Sequence, residues 1–201
     1  MPSLVPAVVV PGSLKRAPQP VLSSENDLVL RPWTAADAPA IVDAFRDPDI
    51  QHWHARSVES LAEAEEMIEG YAQGWRAESS AHWAVVTPRG EVLGRVAFRT
   101  FDLFWGHAEV AYWTRAAARG RGAATTAVRA LTTWAFGIGF HRLYLYHSTL
   151  NDASCRLALK AGFALEGTER SSILHPDGWH DMHLHALVNP SHLSQATALP
   201  A

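Results

Sequence analysis

The chain contains 201 residues, of which 48% are hydrophobic and 18% charged, and its formal net charge is −3. This length suits one well-buried domain and leaves little room for a second. The slight excess of acidic residues argues against a protein that coats nucleic acid, because such binding needs a surplus of Lys and Arg. Cys155 is the single cysteine, which excludes a disulfide framework and a multi-cysteine metal site and favours a cytoplasmic location.

Both ends of the chain lack a regular hydrophobic pattern. Residues 1–26 contain five prolines and no sustained period, which predicts a flexible tail. The longest apolar run in this tail, residues 8–10, is far too short to cross a bilayer, so we expect no membrane association. The remaining pattern predicts one domain over residues 27–188, followed by a second tail over residues 189–201.

The first half of the domain predicts a strand, two helices and a hairpin. The strand covers residues 27–33, and residues 34–37 resemble a capping box that opens the first helix. Residues 51–56 are a polar and aromatic connection, which is either a substrate wall or a surface loop. Apolar residues that recur at three and four positions predict the second helix over residues 57–76. Strand patterns on either side of a Pro-Arg-Gly-Glu turn predict the hairpin within residues 81–101.

A strand, a glycine-rich turn and a helix then follow one another. The strand covers residues 107–114, and the turn has the sequence R-G-R-G-A-A at residues 119–124. Glycine lets the backbone turn tightly and present its N–H groups, and a helix that starts just behind adds unpaired N–H groups and a partial positive charge. This segment predicts a phosphate or pyrophosphate site, to which Arg119 and Arg121 add charge.

The last third of the domain predicts three strands and one helix. The strand at residues 142–147 follows a helical crossover, which predicts a parallel pair with residues 107–114. A helix then spans residues 151–161, and a final hairpin joins residues 163–169 to residues 179–187. The predicted class is therefore α/β (α+β): a mixed, mostly antiparallel central sheet of about seven strands with about four helices.

Four segments, taken together and in suitable spacing, resemble the GCN5-related N-acetyltransferase (GNAT) superfamily. Within it, the chain is similar to the branch that acetylates the N-terminal alanine or serine of ribosomal proteins. The segments are R-G-R-G-A-A at 119–124, E-V-A-Y-W at 109–113, N-D-A-S with K-A-G-F at 151–154 and 160–163, and E-G with W-H-D at 166–167 and 179–181. Ala111 stands where that branch usually has glycine, and the resemblance covers residues 27–188.

The resemblance implies that acetyl-CoA lies where the parallel strand pair is splayed. The pyrophosphate would contact the backbone of the glycine-rich turn, and the pantetheine arm would pair with the strand edge like an added strand. The residues implied in cofactor binding are Trp113, Thr114, Arg119, Gly120, Arg121, Gly122, Ala123, Ala124, Thr125 and Asn151. The alternative is a tight turn with a purely structural role.

The resemblance also implies two catalytic residues. Acetyl transfer requires the amine to lose a proton, the thioester oxygen to be stabilised and the leaving thiolate to gain a proton. Glu109 matches the acidic position of the branch and is the candidate base, with a structural carboxylate as the alternative. Ser154 matches the position proposed to protonate the thiolate, with a helix-capping residue as the alternative. Cys155 has no recognisable base beside it, so we expect direct transfer in a ternary complex.

The expected acceptor is a primary amine, and the α-amine of a protein or peptide N-terminus fits best. The pKa of an α-amine is about 7.7–8.0, whereas that of lysine is about 10.4, so an N-terminus needs less help to lose its proton. The alternatives are a small-molecule amine, such as an antibiotic or amino-acid derivative, and a non-catalytic acyl-CoA sensor. We expect no nucleic-acid partner, and homodimers are common in the resembled family.

A metal site is not expected from the sequence, although the chain contains 11 histidines. His183 and His185 share one face of the last strand, but two ligands alone do not make a site. His52 and His54 likewise have no recognisable third partner.

Overall fold

The computed structural model describes residues 4–193, which form a mixed sheet of eight strands in the order β1-β2-β3-β4-β5-β6-β8-β7. The strands are β1 Leu22–Ser23, β2 Val29–Pro32, β3 Ala81–Val86, β4 Val92–Asp102, β5 His107–Thr114, β6 Arg142–Ser148, β7 Ala164–His175 and β8 Gly178–Val188. The helices are α1 Ala38–Ala44, α2 Pro48–His54, α3 Leu61–Ala77, α4 Ala123–Gly137, α5 Asp152–Lys160 and α6 Pro190–Leu193. In this part of the chain, no helix is long and apolar enough to span a membrane.

The predicted fold class is confirmed. All strand pairs are antiparallel except β5 with β6, the pair that the crossover pattern predicted to be parallel. The structure adds one short strand, β1, and two short helices, α2 and α6, to the predicted elements. These additions lie outside the elements that carry the family motifs.

Helices cover both faces of the sheet, as the burial of β3 demonstrates. Every residue of this strand is buried, because alternate side chains point to opposite faces and both faces are covered. Trp83 and Val85 join a core with α4, whereas Ala84 and Val86 join a second core with α1 and α3. The central strands are therefore held rigidly between two layers.

The start of the chain differs from the predicted flexible tail, because residues 4–26 make specific contacts with the domain. Val9 is buried in the core beside α4. Trp75 and Trp83 donate their indole N–H groups to the carbonyl oxygens of Ala17 and Pro20 at 3.1 and 2.8 Å. These partners are 58 and 63 positions apart in the chain, so no local hydrophobic period could reveal them. Of the predicted C-terminal tail, residues 194–201 lie outside the described residues.

Residues 51–54 also differ from the predicted connection, because they belong to helix α2. The Asp47-Pro48 pair ends the preceding helix, but it also begins this one. The Asp47 carboxylate accepts a hydrogen bond from the backbone N–H of Asp49 at 2.9 Å, and Pro48 occupies the first turn, where no N–H is needed. The helix ends at Ala55, which adopts a left-handed conformation.

The contact of Glu78 with the N-terminal segment can be tested by mutation. Its carboxylate accepts hydrogen bonds from the backbone N–H groups of Gly12, Leu14 and Lys15. We expect Glu78→Gln to lower the free energy of unfolding by about 1–2 kcal/mol, because one acceptor oxygen becomes an NH₂ group that faces backbone donors. Urea unfolding measures the loss, and limited proteolysis should cut residues 4–20 faster in the variant.

The matched control is Glu69→Gln on α3, the helix that ends just before Glu78, where the carboxylate contacts Gln73 and Arg76 on the exposed surface. We expect a change within about 0.5 kcal/mol there. Equal unfolding and cleavage in both variants would contradict the anchoring role of Glu78.

Candidate active site

A cleft opens where β5 and β6 separate. The two strands pair only over residues 107–109 and 142–144, and residues 110–114 have no strand partner on this side among the described residues. The cavity has a volume of about 570 Å³ and is bounded by β5, β6, α2 and the first turns of α4 and α5. Every predicted site residue except Arg121 lines this cleft.

The glycine-rich turn forms one end of the cleft. Gly120 and Gly122 have φ values of +74° and +78°, in the left-handed region that favours glycine. A Cβ atom at either position would meet no atom within 4 Å, so the backbone borders unfilled space. In the described chain, no hydrogen bond of good geometry satisfies the backbone N–H groups of residues 120–125. This end of the cleft therefore presents N–H groups at the start of α4, an arrangement that suits a phosphate.

The two arginines of the turn differ in their surroundings. Arg119 lies at the cleft, where its guanidinium contacts the carboxylates of Asp47 and Asp49 at 2.7 and 2.9 Å. Both carboxylates come from the start of α2, a helix that the sequence reading missed. Arg121 is exposed and does not line the cleft. The backbone N–H groups of the turn are therefore free to meet a ligand in the cleft, whereas Arg119 is already paired with carboxylates and Arg121 points elsewhere.

The unpaired edge of β5 forms the long wall of the cleft. Its two predicted residues, Trp113 and Thr114, pair with β4 on the opposite side. The Trp113 side chain is buried against Trp33 and Phe45, with ring centroids 5.9 and 6.1 Å apart. This packing holds β5 in place on the core side. The backbone of β5 therefore remains accessible along the cleft.

Glu109 lies at the vertex of the cleft, because it is the last residue of β5 that pairs with β6. Its side chain is buried, and its Oε1 atom is 2.6 Å from a guanidinium nitrogen of Arg99. A bulge in β4 between Phe98 and Thr100 sets Arg99 beside this carboxylate. Burial raises the pKa of Glu109 above its ordinary value, although the positive charge of Arg99 opposes the shift. The result is a poorly hydrated carboxylate at the inner end of the cleft, held by one cation.

Ser154 and Asn151 lie at the start of α5, on the opposite wall. The Asn151 side chain caps the helix, since its Oδ1 accepts a hydrogen bond from the backbone N–H of Ser154 at 3.0 Å. The Ser154 hydroxyl is not needed for capping, and it lies close enough to the Tyr112 hydroxyl to influence the pKa of that phenol. Burial raises the pKa of Tyr112 to about 12, so the phenol is protonated at neutral pH. The buried Tyr112 hydroxyl has no hydrogen-bond partner among the described residues.

Several residues outside the predicted set of site residues also line the cleft, two of them from the connection at residues 51–56 that was predicted as a possible substrate wall. Trp53 and His54 come from α2, Arg95 from β4 and His175 from β7. Burial, reinforced by the positive charge of Arg95, lowers the pKa of His54 to about 3, so its imidazole is neutral. The polar and aromatic composition of residues 51–56 was the one available signal. The contributions of β4 and β7 depend on the fold.

The chain was compared with known families and structures. A model described as "Acetyltransferase (GNAT) domain" matches residues 27–164. A curated relative from Bacillus subtilis (strain 168), the uncharacterized N-acetyltransferase YoaA, is 26% identical over 174 residues, which cover 85% of this chain and 98% of the relative.

Solved structures agree with the family match at the level of the fold. RimL, a ribosomal L7/L12 alpha-N-protein acetyltransferase in complex with coenzyme A, superposes with a TM-score of 0.76 at 19% identity, covering 84% of this chain and 98% of that chain. The microcin C7 self-immunity acetyltransferase MccE, in complex with acetyl-CoA and AMP, superposes with a TM-score of 0.75 at 20% identity, covering 82% and 93%. Because the family model matches more than half of the chain and the fold agrees, this protein belongs to the GNAT family and is an acyl-CoA-dependent N-acetyltransferase.

Proposed function

We propose that the protein transfers an acetyl group from acetyl-CoA to the α-amine of a protein or peptide N-terminus, by direct transfer in a ternary complex. The observation that carries this proposal is the position of Glu109, a buried carboxylate at the vertex of a cleft that ends in unpaired N–H groups. An acyl-CoA molecule is long and needs an anion site at one end and a reaction centre at the other. The cleft offers both.

The donor would lie along β5. Its pyrophosphate binds the backbone N–H groups of residues 120–125, and its pantetheine amides pair with the strand edge at Trp113 and Thr114. The thioester then reaches the reaction centre between Glu109 and Ser154, which line different walls of the cleft. The structure of RimL, which has the same fold, was solved in complex with coenzyme A, which supports this choice of donor.

The transfer step needs one base and one acid. Glu109 accepts a proton from the acceptor amine, directly or through a water molecule, while the amine nitrogen attacks the thioester carbon. The carbon–sulfur bond then breaks, and the Ser154 hydroxyl donates a proton to the thiolate. A proton from solvent then restores the Ser154 hydroxyl.

Direct transfer is supported by the position of Cys155. Its Sγ atom lies 3.9 Å from the Nε2 atom of His185, a neighbour that sequence reasoning did not find. Cys155 nevertheless does not line the cleft, so its sulfur is not positioned to accept the acetyl group from bound acyl-CoA. An acyl-cysteine intermediate is therefore not part of the proposal.

The acceptor assignment rests on the modest strength of the proposed base. Glu109 is held by Arg99, which limits how far its pKa can rise and hence how strong a base it can be. An α-amine loses its proton about 2.5 pKa units more easily than a lysine side chain. The acidic residues Glu59, Glu63, Glu65 and Glu66 do not line the cleft, so they give no support for a strongly cationic acceptor. The expected cytoplasmic location rests on cysteine content alone and stays a prediction.

The anion end of the cleft can be tested at Gly122. We expect Gly122→Trp to weaken acetyl-CoA binding by at least about 10-fold, because the indole fills space that the diphosphate needs. Gly122→Ala is the matched control, since it carries the same left-handed strain of about 1–2 kcal/mol without the bulk. Isothermal titration with acetyl-CoA measures both, and circular dichroism checks the fold. Equal affinity in the two variants would reject the anion site at this turn.

The role of Glu109 as a base can be tested by mutation and by pH. We expect Glu109→Gln to lower kcat by about 100-fold or more while the affinity for acetyl-CoA stays unchanged. Only the ionised carboxylate of Glu109 can act as a base, and its raised pKa means that this ionised fraction falls at a higher pH than usual. The wild-type kcat/KM should therefore fall as the pH drops through that pKa. This fall in activity at low pH, the acidic limb, should be missing in the Gln variant. Glu65→Gln, at an exposed position of α3, should behave as wild type.

Arg99→Met provides an independent check on the same limb. Removing the cation takes away the interaction that favours the carboxylate, so the pKa of Glu109 should rise further and the limb should move to higher pH by about one unit. A thiol-release assay over a pH series measures all four proteins. An unmoved limb in Arg99→Met would assign it to another group.

The acceptor can be identified with two matched peptides. We expect an unblocked peptide to react at least about 100-fold faster at pH 7 than the same peptide with an acetylated N-terminus and an internal lysine, because far more of its α-amine is neutral. Small amines serve as a third class, since MccE, which has the same fold, was solved with AMP as well as acetyl-CoA. Faster thiol release with small amines than with peptides would favour a small-molecule acceptor. If none of the amines leads to thiol release, the result would favour an acyl-CoA sensor.

A further inference from the structure

Beside the cleft, which His147 also lines, three histidines and the single cysteine converge. His147 lies on β6, His183 and His185 lie on β8, and Cys155 lies on α5. One nitrogen from each imidazole and the Sγ atom of Cys155 all lie within 4.8 Å of one another. These four residues, the His₃Cys cluster, have no role in the proposed transfer step.

Strand register brings the histidines together. β6 and β8 are antiparallel, and His147 is directly opposite His183. His185 is two positions further along β8, so it points to the same face. Helix α5 packs over this face, and its first turn supplies Cys155. The cluster therefore joins three separate elements of the fold, β6, α5 and β8.

The hydrogen bonds of the histidines leave nitrogen lone pairs facing the cluster. His147 is 5% exposed, and its Nδ1 lies 2.8 Å from the carbonyl oxygen of Ser148. A carbonyl only accepts hydrogen bonds, so Nδ1 carries the proton and Nε2 carries the lone pair. That Nε2 atom is buried and has no hydrogen-bond partner. The backbone carbonyl thus orients His147 as second-sphere groups orient metal-binding histidines.

His185 and His183 repeat parts of this arrangement. His185 is fully buried, and its Nδ1 faces the carbonyl oxygen of Phe163 at 3.4 Å, while its Nε2 faces the sulfur of Cys155. The Nδ1 atom of His183 is buried and has no hydrogen-bond partner. A buried polar atom without a partner costs free energy, and this cluster contains two such atoms beside a thiol.

We propose that His147, Cys155, His183 and His185 bind a divalent transition-metal ion of the zinc type. One thiolate and three imidazoles match the ligand preference of Zn²⁺, and they disfavour Mg²⁺ and Ca²⁺, which select oxygen ligands. Ligand atoms around tetrahedral zinc are about 3.4 Å apart, given bond lengths of about 2.0–2.3 Å. The cluster is wider than this by about 1.4 Å at most, so small side-chain rotations close it. Cys155 and His183, which are only partly buried, are the residues with room to move.

Such a site would be structural, because four protein ligands leave no position for water or substrate. The metal would fix the first turn of α5 to β6 and β8. That turn carries Ser154 and lies next to the cap residue Asn151, so the metal would hold one wall of the acyl-CoA cleft. Zinc would therefore affect the proposed transfer through positioning rather than through chemistry.

Cobalt substitution of the full-length protein tests the site without reference to activity. After chelator treatment, titration with Co²⁺ should give one equivalent of bound metal with visible bands of tetrahedral cobalt and a thiolate-to-cobalt charge-transfer band. Zn²⁺ should displace the cobalt and raise the Tm. Cys155→Ser should lose the charge-transfer band, and His183→Asn should weaken binding by at least about 10-fold.

His141→Asn is the control, since His141 lies outside the cluster with its Nδ1 3.2 Å from that of His192. It should bind cobalt as the wild type does. Circular dichroism checks each fold, and if Cys155→Ser does not fold, His183→Asn decides the result. Failure of the wild type to bind one equivalent, or equal binding by wild type and His183→Asn, would overturn the proposal. Acetyl-CoA titration of the same samples keeps this result separate from the proposed function.

Discussion

The break in the pairing of β5 with β6 is the feature on which the rest of this structure depends. Three residues of each strand pair in parallel, and the strands then diverge although both continue. The loss of sheet hydrogen bonds along this line is tolerable because each strand is paired along its other edge, β5 with β4 and β6 with β8. The edge of β5 that no described strand covers has the shape to accept an extended ligand with amide groups in place of the missing strand.

The same break in strand pairing determines where charged groups of the protein border the cleft. At its inner end, Glu109 is buried because pairing is still intact there, yet it borders the cleft because pairing stops one residue later. The bulge that supplies Arg99 lies directly across β5 from this point. A carboxylate there is dry enough to have a raised pKa and is still within reach of a substrate. At the outer end, the start of α4 supplies N–H groups, so a single opening presents backbone donors at one end and a buried carboxylate at the other.

Local patterns were enough to predict what lies along the edge of the break, but not what surrounds it. The glycine-rich turn, the strand before it and the cap of α5 are set by neighbouring residues, and the sequence contained their signals. The packing of Val9 and the ion pairs of Arg119 with Asp47 and Asp49 join distant segments, so no local period could indicate them. Helix α2 was missed for a different reason, since Asp47 and Pro48 both end one helix and begin the next.

The His₃Cys cluster follows from the same architecture. Among residues 4–193, strand β6 has no strand partner on its cleft side beyond Tyr144, so that wall depends on β8 and on α5 for its position. Alternation placed His183 and His185 on one face from sequence alone, but only register brings His147 opposite them and only helix packing adds Cys155. Apolar side chains could have filled this volume. Leu145 and Leu143, which precede His147 on the same face of β6, both pack in the core. Buried nitrogen lone pairs at this point would lower the stability of the fold unless a ligand binds them. A metal ion that links α5 to β6 and β8 here would stiffen the wall that lacks a neighbouring strand.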